Sequence, residues 1–428
     1  MTKTLRFSLV LLFSFFFLIE VKAQVLPYAK EVVQKLSSED FIGRGYVEKG
    51  DKIAAEFIRD EYKRLGLLSY TKDYFQKFDI SVNTFPKEIK LEINGQKLNA
   101  GYDYLVSPES PSVKGTFDVV PLSIEEIMSD QLLGAKLRSS AGKFIVTDSY
   151  NKEDFDKEQL ERIQGVIGFL KYHPNNPAAG TIELTSEKLT WHGAQQQYPK
   201  PSFTVFADSV DIPITKIKVD LKPKLEKKYE TQNVVGYIEG ENQDSLIVIM
   251  AHYDHFGKMG GALFPGANDN ASGTAMLMSL ARHFSEIKPP FNMAFIAFGG
   301  EEIGLLGSKY FVENPLFDLS RVKFLLNFDL AGTGDEGIQV VNGSVYRDQF
   351  DQLSKINEEQ ELLPQVKIRG AACNSDHCAF DEVGVPGFYI YTLGGIRAYH
   401  DVYDRYETLP FTEFKDYFTL MVEFISNL

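Results

Sequence analysis

The chain has 428 residues, 44% hydrophobic and 24% charged, and it carries a formal net charge of −14. This composition excludes an intrinsically disordered chain and leaves room for two or three globular domains. The acidic balance argues against nucleic acid or an anionic membrane as the main partner.

Residues 1–23 carry the pattern of a secretory signal peptide. Lys3 and Arg6 precede an apolar run over residues 7–19, and Val21-Lys22-Ala23 supplies a small-x-small cleavage site. The run is shorter than the roughly 20 residues that span a bilayer, and an uncleaved anchor is the alternative. We therefore expect an exported protein, periplasmic or extracellular, that is not integrated in a membrane once the signal is removed.

The region up to residue 228 combines short elements of mixed type. Amphipathic periodicity predicts helices over 28–36 and 51–65, and an Asn94-Gly95 turn predicts a hairpin over 91–98. One charged helix is predicted over 152–162, among short strands over 116–121, 143–147, 166–170 and 214–221. The basic run 222–228 is interpreted as a solvated linker.

From residue 233 on, apolar runs typical of strands buried on both faces alternate with helical patterns. The predicted strands are 234–238, 246–251, 292–298, 323–329, 338–341 and 387–392. The predicted helices are 270–284, 308–312, 349–361 and 411–425. This alternation predicts an α/β domain whose mostly parallel central sheet is flanked by helices. In such sheets, polar chemistry gathers at the carboxyl ends of the strands.

Histidine and acidic residues follow the first of these strands and the loop after it. His252 and Asp254 come directly after an apolar strand and point to the same side. Asp254 could fix the tautomer of a ligating His252, although a histidine at a strand end is more often structural. Asp269 lies ahead of a helix, where it could cap that helix or face a metal ion.

Further acids and a histidine follow the later strands. Glu301 and Glu302 are adjacent carboxylates just past a buried strand, where they would repel each other unless a cation were present. Asp329 ends another apolar strand and needs a partner, and Tyr399-His400 follows the last strand. Each of these residues alone has a structural alternative, such as a cap or a salt bridge. Two histidines and several carboxylates together indicate a divalent metal, zinc above all.

Nucleophilic catalysis by serine or cysteine fits the sequence badly. No G-x-S-x-G motif is present, and the two cysteines, Cys373 and Cys378, are only five positions apart. In an exported protein they can form a local disulfide that pins the loop between them. Two free, buried thiols are the alternative.

Taken in order, these motifs resemble the family-28 metallopeptidases. The resemblance is carried by His252-Tyr-Asp254, Gly-Ala-Asn-Asp269-Asn-Ala-Ser-Gly, Glu301-Glu302-x-Gly-Leu-Leu-Gly-Ser308, Asn327-Phe-Asp329 and Tyr399-His400. It implies one zinc ion on His252 and Asp329, a second on Glu302 and His400, and Asp269 as the bridge between them. It further implies that Asp254 orients His252 and that Glu301 is the general base of a metal-assisted hydrolysis.

The resemblance also implies a domain organisation. It covers residues 28–97 and 233–428, and the intervening segment is similar to the protease-associated domain that often interrupts such enzymes. The expected arrangement is a signal peptide over 1–23, a catalytic domain over 24–96 and 229–428, and a smaller β-rich α/β insert over 97–228. We expect the insert to shape access to the site without supplying a catalytic residue.

An exopeptidase that acts on a peptide substrate, most simply an aminopeptidase, is the expected function. Asp376, His377 and Asp401 adjoin the motifs and are candidate substrate contacts, and either aspartate could face an α-amino group. Carboxypeptidase or dipeptidase activity is an alternative, for which Arg369 and Arg397 could bind a carboxylate. A glutaminyl cyclase with one zinc and a binding protein on the same fold are the others, and the occupied ligand positions disfavour the last.

Overall fold

The structure is a computed structural model that describes residues 25–428, so the predicted signal peptide lies outside the described residues. The α-helices are α1 (25–36), α2 (Gly50–Arg64), α3 (Ile124–Ile127), α4 (Asp130–Ser139), α5 (Lys157–Tyr172), α6 (Gly273–Ser285), α7 (Leu306–Glu313), α8 (Arg347–Gln360), α9 (His377–Asp381) and α10 (Phe414–Ser426). Within residues 25–428, none of the helices combines the length and apolar character needed to cross a membrane.

The strands fall into two large sheets and one short hairpin. They are β1 (Phe75–Thr84), β2 (Lys90–Ile93), β3 (Gln96–Lys97), β4 (Tyr104–Val106), β5 (Val113–Leu122), β6 (Phe144–Thr147), β7 (Gly180–Thr185), β8 (Ser202–Phe206), β9 (Lys216–Leu221), β10 (Lys224–Ile238), β11 (Asn242–His252), β12 (Gly257–Met259), β13 (Ala262–Phe264), β14 (Phe291–Phe298), β15 (Val322–Asp329), β16 (Ile338–Val341), β17 (Val366–Ile368) and β18 (Gly387–Thr392).

The first sheet has the strand order β1-β10-β14-β11-β15-β18-β16-β17. Its centre, from β14 through β11 and β15 to β18, is parallel. Both faces are covered. Ile247 and Ile249 of β11 belong to an apolar cluster with residues of α1, α2, α6, α8 and α10, and Val248 and Met250 belong to another with residues of α7 and α9. The predicted α/β domain with its mostly parallel sheet is thereby confirmed.

The second sheet forms the insert and has the order β3-β2-β9-β5-β6-β7-β8-β4. One face packs against α3, α4 and α5 through a separate apolar cluster. The other face shares its core with Phe256, Phe264 and Val402 of the first domain. The insert and the first domain therefore share one hydrophobic core.

Three expectations about this region need correction. Residues 166–170 are helical, within α5, because Ile163, Ile167 and Leu170 form its buried stripe. The basic run 222–228 leads into β10, which pairs with β1 in the first sheet. The hairpin over 91–98 belongs to the insert, since β2 pairs with β9, so the boundary drawn at residue 97 moves to before Lys90.

Candidate metal centre

The sequence motifs converge at the carboxyl edge of the central parallel strands. Strand β11 ends at His252, and its neighbour β15 ends at Asp329. The other neighbour, β14, ends at Phe298 and is followed by two glycines and then Glu301 and Glu302. Because parallel strands end at the same edge, three separate chain segments deliver their side chains to one place.

Asp269 lies at the middle of this group. It comes from the turn Ala267–Ser272 ahead of α6 and is 3% exposed. Its Oδ1 atom is 3.5 Å from Nε2 of His252, and its Oδ2 atom is 3.0 Å from Nε2 of His400. The two oxygens of one carboxylate therefore face two different histidines.

The first group of ligand atoms consists of His252, Asp269 and Asp329, which lie within 4.8 Å of one another. Nε2 of His252 is 3.5 Å from Oδ2 of Asp329, and the buried Oδ1 of Asp329 has no hydrogen-bond partner. Nδ1 of His252 lies 3.2 Å from the main-chain carbonyl of Asp254. A proton on Nδ1 donated to that carbonyl leaves the Nε2 lone pair free for a cation.

The second group includes a histidine that the sequence motifs do not mark as a ligand. His255, Asp269 and Glu302 lie within 4.8 Å of one another. Nδ1 of His255 is 2.5 Å from Oε1 of Glu302, while Oε2 of the same carboxylate is 3.6 Å from Nε2 of His400. His255 thus holds one oxygen of Glu302 and leaves the other facing His400.

The electrostatics of the group favour a bound cation. Burial and the neighbouring Asp269 and Glu301 raise the pKa of Glu302 well above its usual range. Burial alone would lower the pKa of His252, but the surrounding carboxylates raise it well above normal. Carboxylates crowded in this way are stabilised by positive charge between them, and their nitrogen and oxygen atoms suit zinc. The residues present therefore fit divalent cations such as zinc, and Asp269 belongs to both groups of ligand atoms.

Asp254 supports the site mainly through Glu301. Its Oδ1 atom accepts a hydrogen bond from the main-chain N–H of Glu301 at 3.1 Å, and its Oδ2 atom accepts one from the Tyr46 hydroxyl at 3.0 Å. The carboxylate is 4.0 Å from Nδ1 of His252. The expected contact with His252 is therefore made by the Asp254 carbonyl, and the carboxylate fixes the backbone of the neighbouring glutamate.

Two further charged residues, neither of them part of the sequence motifs, hold the Asp269 turn. Asp404 accepts hydrogen bonds from the main-chain N–H groups of Asn268 and Asp269 at 2.8 and 2.9 Å. The fully buried Arg44 donates to the carbonyl of Gly266 at 2.7 Å. Its other donors reach the carbonyls of Leu36, Tyr253, Pro265 and Asp269. Hydrogen bonds from a buried cation and to a buried acid thus fix the main chain of the turn.

Two of the three candidate substrate contacts, Asp401 and His377, are engaged by other residues. Asp401 is 4% exposed and forms an ion pair with Lys188 of the insert at 2.7 Å, so its carboxylate is not free to face an amine. Nε2 of His377 lies 2.7 Å from the carbonyl of Ala372, and its ring stacks on Tyr389. Asp376 is fully buried, and burial raises its pKa to about 7. These positions favour structural roles for Asp401 and His377.

The loop before α9 is closed covalently. Cys373 and Cys378 form a disulfide, so the alternative of two free thiols is wrong. The bond closes a loop that contains Asp376 and His377 at the edge of the site.

An α/β domain with a His, Asp and Glu cluster at the carboxyl edge of its parallel strands has the architecture of a zinc exopeptidase. Comparison with protein families agrees with this class. Residues 233–425 match Peptidase family M28, and the chain carries a domain of that family.

Individual relatives and solved structures extend the comparison. The chain is 29% identical to aminopeptidase YwaD of Bacillus subtilis over 72% of its own length and 66% of that protein. It is 33% identical to an aminopeptidase of Pseudomonas aeruginosa over 27% of its length and 21% of that protein. The zinc aminopeptidase BSAP from Bacillus subtilis superposes with a TM-score of 0.67 at 19% identity, with 94% of each chain covered. A peptidase M28 precursor from Shewanella amazonensis superposes with a TM-score of 0.70 at 16% identity, covering 95% and 94%. The last two show a common fold that includes the insert.

Proposed function

We propose that this protein is an aminopeptidase that uses two zinc ions to release N-terminal residues from peptides. The single observation that carries the proposal is the Asp269 carboxylate, whose oxygens lie 3.5 Å from His252 and 3.0 Å from His400. One carboxylate between two histidines is the arrangement that a bridged pair of cations needs. The family M28 domain and the similarity to aminopeptidases support the same reading.

Glu301 is the general base in this proposal. His252, Asp269, Glu302, Asp329 and His400 would hold the two zinc ions, which would supply Lewis acidity to the scissile carbonyl and to a water molecule. Burial and the neighbouring acids raise the pKa of Glu301 well above its usual range, and Asp254 holds its main chain. A carboxylate of raised pKa can take a proton from the attacking water and then deliver it to the leaving amine.

Carboxypeptidase activity would need a cation beside the cluster to bind a substrate carboxylate. Asp269, Glu302 and Asp329 serve as metal ligands in this proposal. Arg44, the cation buried behind them, has its donors bonded to main-chain carbonyls and so cannot receive a substrate carboxylate. The guanidinium of Arg369, a candidate for a carboxypeptidase, donates to the hydroxyl of Tyr391 at 3.0 Å.

The direct test uses two tripeptides of the same sequence, one N-acetylated and one C-amidated. Products are identified by mass spectrometry. The amidated peptide should lose its first residue, and the acetylated peptide should survive. Cleavage of the acetylated peptide from its carboxyl end, with the amidated peptide intact, would make the protein a carboxypeptidase.

We also propose that the protein is exported and that the insert is a protease-associated-like domain. The charged and apolar pattern of residues 1–23 supports export, and a disulfide between Cys373 and Cys378 fits an oxidising compartment. Mass spectrometry of the mature protein from its native host should give an N-terminus at Gln24. A mature chain that retains residues 1–23 would refute cleavage.

A further inference from the structure

We propose that the insert positions the proposed metal ligand His400 through Lys188 and Trp191. The segment 393–405, called here the His400 loop, belongs to the catalytic domain, yet hydrogen bonds from the insert reach three of its main-chain carbonyls. The inference rests on the proposed function, because it takes His400 to be a ligand. The insert would then help to position a metal ligand, in addition to shaping access to the site.

The His400 loop has no regular structure of its own. It follows the end of β18 and precedes the 3₁₀ turn Tyr406–Thr408, and no helix or strand is assigned within it. His400 has a φ of +55°, in the left-handed region that residues other than glycine seldom adopt. Such a conformation persists only where surrounding contacts hold it.

Lys188 supplies contacts on both sides of His400. Its Nζ atom donates to the carbonyls of Arg397 and Tyr399 at 2.6 and 2.9 Å. The same ammonium group pairs with the buried Asp401 carboxylate at 2.7 Å. Asp401 in turn accepts a hydrogen bond from the main-chain N–H of Tyr403 at 2.8 Å. One insert side chain therefore links the residues directly before and after the ligand.

Trp191 contacts the ligand residue itself. Its main-chain N–H donates to the carbonyl of His400 at 2.8 Å. The indole is anchored, since its Nε1–H donates to the carbonyl of Val106 at 2.8 Å and its ring stacks on Phe264 at 4.9 Å. The rings of Phe256 and His400 pack edge to face, with their centroids 4.7 Å apart. The donor to His400 is thus fixed by the core that the insert shares with the catalytic domain.

Lys188 and Trp191 are positioning residues in this arrangement. They touch no ligand atom, but they set the main chain from which Nε2 of His400 reaches Asp269 and Glu302. Loss of a group that orients a metal ligand weakens metal binding by about 10–100-fold. The effect should fall on the ion held by His400 and Glu302, because His252 and Asp329 lie on strands that the insert does not hold.

The experiment compares Lys188→Met with Lys152→Met. Lys152 is a matched control, an insert lysine whose ion pair with the exposed Glu187 stays within the insert. Zinc binding to metal-free protein is titrated calorimetrically, and amide hydrogen exchange is followed over residues 393–405 without metal. Lys188→Met should bind one ion as the wild type does and the other about 10–100-fold more weakly, with faster exchange in the loop. Lys152→Met should match the wild type in both.

Two further variants guard against a general loss of folding. Asp401→Asn should reproduce the weaker second ion, and Lys188→Arg should restore part of its affinity by keeping the positive charge. Wild-type affinity for both ions and unchanged exchange in Lys188→Met would overturn the inference. Equal weakening of both ions, or an equal effect in Lys152→Met, would also overturn it. A wild-type protein that binds no second ion would instead refute the proposed function, so the two failures are distinguishable.

Discussion

His400 and Asp269 are 131 positions apart in the chain, yet Nε2 of the histidine lies 3.0 Å from Oδ2 of the aspartate. The other oxygen of Asp269 is turned to His252. This division of one carboxylate between two histidines is the basis of the proposed pair of zinc ions.

Glu301 and Glu302 are neighbours in sequence, but their substitutions should have different effects on activity and on metal content. Glu301→Gln should lower kcat by about 10²–10⁴-fold while both zinc ions stay bound, because only the base is removed. Glu302→Ala should lose one ion, since it removes the oxygen that faces His400. Steady-state kinetics with elemental analysis of each purified variant checks both results. Equal metal content in both variants and the wild type would contradict the assignment.

His255 should contribute to metal binding through Glu302. Because its Nδ1 lies 2.5 Å from Oε1 of Glu302, His255→Ala should free that carboxylate to rotate and weaken one ion by about 10–100-fold. His377→Ala is the control, since His377 faces the carbonyl of Ala372 and should keep both ions. Competition against a zinc-binding dye measures the affinities. A His377 variant that loses zinc while the His255 variant keeps two would reverse these roles.

Activity should depend on metal in a reversible way. Dialysis against a strong chelator should abolish peptide hydrolysis, because it removes the ions that would activate the carbonyl and the water. Addition of zinc should restore the activity, and magnesium should not, since histidine ligands favour zinc. Full hydrolysis by protein shown to be free of metal would contradict the proposed mechanism.

Asp51 lies away from the proposed ligands, and its titration should make the free energy of unfolding depend on pH. Burial raises its pKa from 3.8 to about 6, although the hydroxyl groups of Tyr229 and Thr231 donate to it. The folded state therefore binds more protons than the unfolded state between those values, and the stabilising contribution of the protonated group is lost as pH rises from 4 to 6. The loss is roughly 3 kcal/mol.

This prediction is checked by urea unfolding of metal-free protein from pH 4 to 7. Asp51→Asn cannot titrate, so its unfolding free energy should fall less steeply over that range than that of the wild type. Metal-free protein is used because metal binding itself releases protons. Parallel curves for the two proteins would show that Asp51 does not titrate as inferred.

The sequence predicts those parts of the site that coincide with the end of an apolar run. Strand β11 ends at His252 and β15 at Asp329, so the run and its ligand are adjacent in the chain. The central strands are themselves predicted from these apolar runs. The strand predicted over 166–170 is wrong because a short apolar run fits a strand and a buried helix equally well. Only the spacing of Ile163, Ile167 and Leu170 identifies this segment as part of helix α5.

The sequence does not predict residues whose partners are distant in the chain. Arg44 binds carbonyls as far as 225 positions away, and Asp404 binds amides 135 and 136 positions away. No local pattern marks such contacts. Asp401 is a candidate substrate contact because it adjoins His400, but it forms an ion pair with Lys188, 213 positions earlier in the chain. Adjacency to a ligand therefore did not predict which way the side chain would turn.

The most direct test of the central claim is a crystal structure of the zinc-loaded protein with data collected at the zinc absorption edge. Anomalous difference maps locate zinc without reference to the protein coordinates. Two peaks are expected roughly 3.5–4 Å apart, one beside His252 and Asp329 and one beside Glu302 and His400, with one oxygen of Asp269 on each. A single peak, or two peaks that do not share Asp269, would contradict a bridged pair of metal ions.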